Sequence, residues 1–160
     1  MHDLFSFPNP VNEKAARTVA TGVVLVSVLG LLTGWNWLLA PLAVGFWLRV
    51  ASGPRFSPLG QLATRWAAPR LGAPVMVPGP PKRFAQAIGA VTTTVGLILA
   101  VGFGIGLAGT IVFAIMTVFA TLEAAFRLCV GCALFAALIR VGLIPNDICE
   151  ACADISLRRA

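Results

Sequence analysis

Residues 84–122 read FAQAIGAVTTTVGLILAVGFGIGLAGTIVFAIMTVFATL, and this stretch decides the fold: 39 residues without a charged side chain, closed by Arg83 and Glu123. One helical crossing of a bilayer takes about 20 residues, so a run of this length predicts two crossings joined by a turn. Gly102-Phe-Gly-Ile-Gly106 supplies the turn near its middle. A second run of 31 residues lies between Arg17 and Arg49. Its turn is Gly34-Trp-Asn-Trp37, followed by Pro41 in the first turn of the next helix. The tryptophans suit a water–lipid boundary. This first pair is tight, and it extends over residues 15–53 only if Lys14, Arg17 and Arg49 lay their stems along the apolar ends.

The whole composition agrees. Of 160 residues 58% are hydrophobic and 11% charged, with a mean hydropathy of +0.90. Soluble domains carry about 25% charged residues, too many more for a water-facing surface to be covered here. The expectation is an all-α polytopic membrane protein. Its parts are a first hairpin (15–53), a cytoplasmic loop with an amphipathic helix (54–83), a second hairpin (84–127) and a cysteine-rich segment (128–160). That makes four spans plus short interfacial helices. The net charge of +6 belongs to residues flanking apolar runs, with no aromatic–basic patch for stacking bases, so nucleic acid is not an expected partner. The lipid bilayer is. No basic region precedes an early apolar core as in a signal peptide, so the first apolar segment is expected to be retained.

Between the hairpins, Gly53 to Arg83 is rich in Pro and Gly. Ser57-Pro58 reads as an N-cap followed by proline at the first helical position. Leu59, Leu62, Trp66 and Leu71 then recur near helical spacing, with Gln61, Arg65 and Arg70 elsewhere on the wheel. This helix lies on the membrane surface or docks on the protein's own hairpins. Val77-Pro-Gly-Pro-Pro81 is expected to be irregular and to deliver the chain into the second hairpin, as Pro8 to Glu13 does for the first. The halves share this order of parts, but residue identity is too low to argue a duplication. From Arg49 to Arg83 there are six basic residues and no acid. The excess places this loop, and with two hairpins both termini, on the cytoplasmic side of the plasma membrane.

The chemistry-bearing residues are four cysteines, Cys129-Val-Gly-Cys132 and Cys149-Glu-Ala-Cys152. Two residues of separation let paired sulfurs face one point, which serves metal capture and disulfide formation alike. The spacing fits a four-thiolate zinc site, in which Cys129, Cys132, Cys149 and Cys152 are all ligands and zinc is structural. It fits equally a redox site in which the same four exchange thiols and disulfides, Cys129 attacking and Cys132, at a helix start, resolving. The segment from Cys129 to Ile144 contains Arg140 and as a helix reaches about 24 Å, so it is expected to lie at the surface or half-inserted. Glu123 is a candidate by position, with an ion pair to Arg127 at i, i+4 as the plainer expectation. His2 is terminal and uninvolved. No phosphate-binding glycine loop, carboxylate pair or Ser/His/Asp set is evident.

Phe7-Pro-Asn-Pro-Val-Asn-Glu13, Ser57-Pro-Leu-Gly-Gln61, Pro78-Gly-Pro-Pro-Lys-Arg-Phe84, Cys129-Val-Gly-Cys132 and Gly142-Leu-Ile-Pro145 before Cys149-x-x-Cys152 together resemble a bacterial domain-of-unknown-function family. It is the one numbered forty-three ninety-five, of small actinobacterial-type membrane proteins. The resemblance implies no fixed activity. It implies a context of thioredoxin-like proteins and sulfurtransferases, and hence thiol or sulfur chemistry. Two functions follow as expectations. One is a membrane-bound thiol–disulfide or sulfur relay with a thioredoxin-like or sulfurtransferase partner. The other is a non-enzymatic membrane protein with a structural zinc, as an accessory subunit of a larger complex. The sequence leaves substrate and oligomeric state open.

Overall fold

The structure, a computed structural model, describes residues 9–145. Cys149 and Cys152, and His2, lie outside the described residues. Each long helix starts and stops where the sequence supplies a reason. A two-residue strand β1 (Val11–Asn12) leads into α1 (Glu13–Thr33), whose N-cap Asn12 accepts from Lys14 N at 3.0 Å. Helix α1 ends at Gly34, which takes φ 69°, a left-handed conformation that glycine adopts without a Cβ clash. A 3₁₀ turn (Asn36–Leu38) reverses the chain into α2 (Leu39–Ser52), with Pro41 in its first turn. The connecting segment holds α3 (Pro58–Leu62), a π turn (Ala63–Ala67) and α4 (Ala68–Arg70) in one continuous helical stretch. Strand β2 (Met76–Val77) then leads into α5 (Gly79–Leu97), extended by a π turn to Gly102. After a reversal at Gly104, φ 71°, come α6 (Gly106–Phe126) and α7 (Val130–Arg140).

The all-α membrane architecture is the one expected. Among the described residues three helices are long and apolar enough to cross a membrane, Glu13–Thr33, Gly79–Gly102 and Gly106–Phe126. Helix α2, at 14 residues, spans about 21 Å at 1.5 Å per residue and is the short limb of the first hairpin. The outer faces carry Leu25, Leu29, Val44, Trp47, Val95, Ile111 and Val118, all exposed, as lipid-facing surfaces require. The inner faces are built from small residues, because lipid gives helices no hydrophobic reason to associate and close packing must do so instead. At Gly30 a Cβ would lie 2.5 Å from the Phe113 ring, and at Gly89 one would lie 2.6 Å from the Phe46 ring. Each phenyl seats against bare backbone, and both rings belong to the central core with Leu39, Leu42 and Met116.

Two expectations are corrected. Pro80 and Pro81 do not keep the chain irregular: they occupy the first turn of α5, where a helix leaves its N–H groups unpaired and proline's missing donor costs nothing. Before them, the two lead-in segments pair with each other as an antiparallel ladder, Val11 opposite Val77 and Asn12 opposite Met76. Gly79 N donates to Asn9 Oδ1 at 3.0 Å across the same junction. The amphipathic segment docks on the hairpins, one of the two placements expected of it. Its small face, Ala63 and Ala68, packs with Ala15 and Val19 of α1, while Leu62, Trp66 and Leu71 point outward and stay exposed.

The two halves repeat one pattern of helix packing. Helix α1 packs on α6 and α2 on α5, while α3 with the π turn packs on α1 and α7 packs on α5. Exchanging the halves maps each contact onto the other, and the ladder register maps onto itself. Side chains repeat the relation: Arg17 donates from Nε and Nη2 to Ala124 O at 2.9 and 2.8 Å, and Arg83 donates from Nε to Val50 O at 3.0 Å.

Candidate functional site

The first cysteine pair sits where α7 begins. Cys129 is the N-cap, extended at φ −89°, and its Sγ accepts from Cys132 N at 3.4 Å. Helix α7 is fixed by Gly131, where a Cβ would lie 2.5 Å from that of Ala85 on α5, and by Phe135, whose ring lies 5.5 Å from that of Phe84. Cys129 and Cys132 are both half-buried and both free thiols.

Electrostatics set the two sulfurs apart. The hydrogen bond from the Cys132 thiol holds Cys129 below the ordinary thiol range, with further help from the Lys82 ammonium and the Cys132 backbone N–H, against burial and Glu123. Cys132 is pushed far up, because its proton is engaged by Cys129, and burial and the negative charge next to it add to that. The pair thus divides into one thiolate-prone sulfur and one proton-holding sulfur.

Around it lies a polar set inside apolar helices. Lys82 Nζ and Glu123 Oε1 form an ion pair of 2.6 Å between α5 and α6, with side chains 10% and 16% exposed. One turn further along α5, Gln86 Oε1 accepts from Arg49 Nε at 2.7 Å. Arg49 is 5% exposed, lies 4.5 Å over the Phe46 ring, and donates from Nη1 to Ser57 Oγ at 3.1 Å. Glu123 was expected to pair with Arg127. It does not, because Arg127 is the left-handed C-cap of α6 at φ 60°, so the helical i, i+4 geometry that would join them ends before it.

Beneath Cys129 is a cavity of about 280 Å³ walled by α1, α2, α5, α6 and α7. Its lining is mostly apolar, with Cys129, Glu123 and Gln86 as the polar points.

The family profile described as Domain of unknown function (DUF4395) matches residues 11–140. The chain belongs to this family. No curated protein and no solved structure matches it. The matched region contains Lys82, Gln86, Glu123 and the first cysteine pair and ends before the second.

For zinc, Cys129 and Cys132 supply two of the four thiolates such a site needs. No group of three or more His, Cys, Asp or Glu side chains able to hold a metal occurs among the described residues. Of the residues expected to carry chemistry, the structure brings together Cys129, Cys132 and Glu123. It adds Lys82, Gln86 and Arg49, which sequence reasoning had treated as topology charges or left unremarked. A signal for the first two was present: Lys82 and Gln86 are four apart in a helix and so share the face on which Gly89 follows.

Proposed function

We propose that this protein is a membrane-bound thiol–disulfide relay in the plasma membrane, with Cys129 attacking and Cys132 resolving. The observation that carries the reading is the place of the pair at the start of α7, where Cys129 is the N-cap and its Sγ accepts from Cys132 N at 3.4 Å. A metal clamp asks for equal ligands, whereas exchange asks for one thiolate and one proton-bearing neighbour. The Cys129 thiolate attacks a disulfide of a thioredoxin-like or sulfurtransferase partner. An S–S bond forms to Cys129, the partner's S–S bond breaks, and the partner leaves with a thiolate. Once Cys129 is bonded, the negative charge beside Cys132 is gone. Its thiol then loses its proton more readily and attacks the mixed disulfide, releasing the partner as a dithiol. In this scheme Cys149 and Cys152 are a second pair that exchanges with the first, and α2 serves as the fourth crossing, with both termini cytoplasmic.

The test is a comparison of single substitutions in anaerobically purified protein. Cys132→Ser is expected to trap a mixed disulfide with a thioredoxin-like protein on a non-reducing gel, and Cys129→Ser to trap none. Stoichiometric zinc, released equally by substitution of any of the four cysteines with no trapped adduct, would overturn the relay.

A further inference from the structure

Run in the direction that takes electrons from a partner dithiol, a thiol relay needs somewhere for those electrons to go, and the cavity under Cys129 offers a route. It is lined by an attacking sulfur, a carboxylate and an amide, on otherwise apolar walls. An apolar cavity of about 150 Å³ suffices for benzene; at about 280 Å³ this one holds a substituted single or fused ring. Two of its wall residues, Phe119 and Leu134, are 42% and 46% exposed on the outer surface of the bundle. The space therefore reaches the face that lipid covers, and an occupant can arrive from the bilayer. Gln86 lines the cavity and its oxygen accepts from Arg49, so its amide NH2 is the end left to donate to an occupant's carbonyl. A flat, lipid-soluble ring bearing carbonyl oxygens and able to take two electrons from a dithiol meets each of these conditions. A lipid tail meets only the first.

We propose that this cavity is a quinone site and that the Cys129/Cys132 pair is the quinone's electron donor. The inference rests on the thiol-relay reading, with its thiol–disulfide exchange run in reverse so that a partner dithiol supplies the electrons, and names the acceptor of those electrons. The reaction balances. The Cys129 thiolate and the Cys132 thiol form an S–S bond and give up two electrons. The quinone accepts both and becomes the quinol. One of the quinol's two protons is the Cys132 thiol proton, and the other comes from water at the membrane boundary, beside the Lys82–Glu123 pair. A partner dithiol then reduces the Cys129–Cys132 disulfide and closes the cycle.

The experiment uses the full chain in lipid nanodiscs, prereduced and anaerobic, in a Cys149→Ser/Cys152→Ser background so that only the first pair reports. The probes are a short-tailed benzoquinone and naphthoquinone with every ring position substituted, so that no thiol can add to the ring. Quinone absorbance and mass-spectrometric thiol counting are followed together, with glutathione disulfide as a separate oxidant arriving from water. The expected result is one Cys129–Cys132 disulfide per quinone reduced. Ala120→Phe, which fills the cavity, should slow quinone reduction by about tenfold or more while leaving oxidation by glutathione disulfide unchanged. Leu134→Trp, on an exposed wall position that tolerates bulk, should slow it in the same selective way and stands in if Ala120→Phe does not fold. Oxidation by glutathione disulfide with no quinone reduction overturns the inference and leaves the relay standing. Equal quinone rates in wild type, Ala120→Phe and Leu134→Trp overturn it too. Inertness toward both oxidants overturns the relay with it.

Discussion

Lys82→Met and Glu123→Gln remove the two halves of one ion pair, and they should move Cys129 in opposite directions. Each leaves a charge without its partner in a site where the side chains are 10% and 16% exposed. Breaking a fully buried pair costs about 3–5 kcal/mol, and the residual exposure here brings the expected loss to about 2–3 kcal/mol for either variant. Stability alone would not distinguish them. The thiol does. Lys82 favours the Cys129 thiolate and Glu123 opposes it, so Lys82→Met should raise the pH at which Cys129 becomes reactive and Glu123→Gln should lower it. The assay is the rate of Cys129 alkylation by iodoacetamide as a function of pH, with Cys132 replaced by serine in both variants and in the reference. The serine hydroxyl keeps a donor near Cys129. Loosening of α7 by a merely structural change would expose Cys129 in both variants and shift both profiles the same way. That common shift would refute the electrostatic reasoning. Lys82→Arg, which keeps the cation, should restore most of the reference profile. The sign for stability follows from the same lowered value. What the Cys129 thiolate adds to folding is fully present above the ordinary thiol range and is lost as pH falls through the lowered pKa.

Orientation is tested by single cysteines placed in a background lacking the native four: one at Gln61 or Gly79 should be shielded from impermeant maleimide in intact cells, and one at Asn36 should label. Gly89→Ala drives a Cβ to within 2.6 Å of the Phe46 ring and should cost about 1–3 kcal/mol in detergent unfolding; an unchanged midpoint would show that α2 and α5 are not held by that contact. Arg65→Glu with Arg70→Glu should weaken binding of the connecting helix to anionic vesicles, since each basic residue near such a surface contributes about 1 kcal/mol. Trp66 fluorescence that stays lipid-quenched in this double variant would show that the apolar side chains alone hold the segment down.

What could be read from the sequence and what could not divide along a physical line. Charge-free runs, glycine turns and the Ser57-Pro58 cap are local signals, and α1, α6, the reversal between α5 and α6 and the helical start at Pro58 lie where those signals put them. The pairing of β1 with β2 joins residues more than sixty positions apart, and two-residue strands carry no periodicity to announce it. The site was half legible. Cys129 and Cys132 stand out by spacing, but the partner of Glu123 was misassigned, because i, i+4 reasoning presumes that the helix continues and α6 stops at Phe126. Lys82 and Arg49 looked like charges that orient the chain. Their burial depends on which helices pack together, and that is a tertiary fact.

The repeated packing pattern gives the cysteine pair a setting that neither half shows alone. At the start of α3, Ser57 is the N-cap and accepts from Gly60 N. At the start of α7, Cys129 is the N-cap and accepts from Cys132 N. The two positions hold corresponding places in the order of elements, so Ser57-x-x-Gly60 and Cys129-x-x-Cys132 are the same N-cap arrangement in the two halves. Arg49, near the end of α2, touches Ser57, while Glu123, near the end of α6, acts on Cys129. A cap needs only an acceptor, and both serine oxygen and sulfur supply one. The device is therefore structural in the first half. In the second, the same geometry aims backbone N–H groups at a sulfur and favours its ionised form. In the proposed relay, the two cysteines at this turn are what would convert a helix cap into a redox centre. Ser57→Cys with Gly60→Cys tests the idea from the other side. The new pair should form the N-cap, but its first sulfur, beside Arg49 rather than a carboxylate, should ionise at a pH no higher than Cys129 does. Alkylation profiles of the two sites in one protein, read by mass spectrometry, decide it; a first-half thiol that stays protonated where Cys129 is ionised would mean the cap and its neighbours do not control the chemistry.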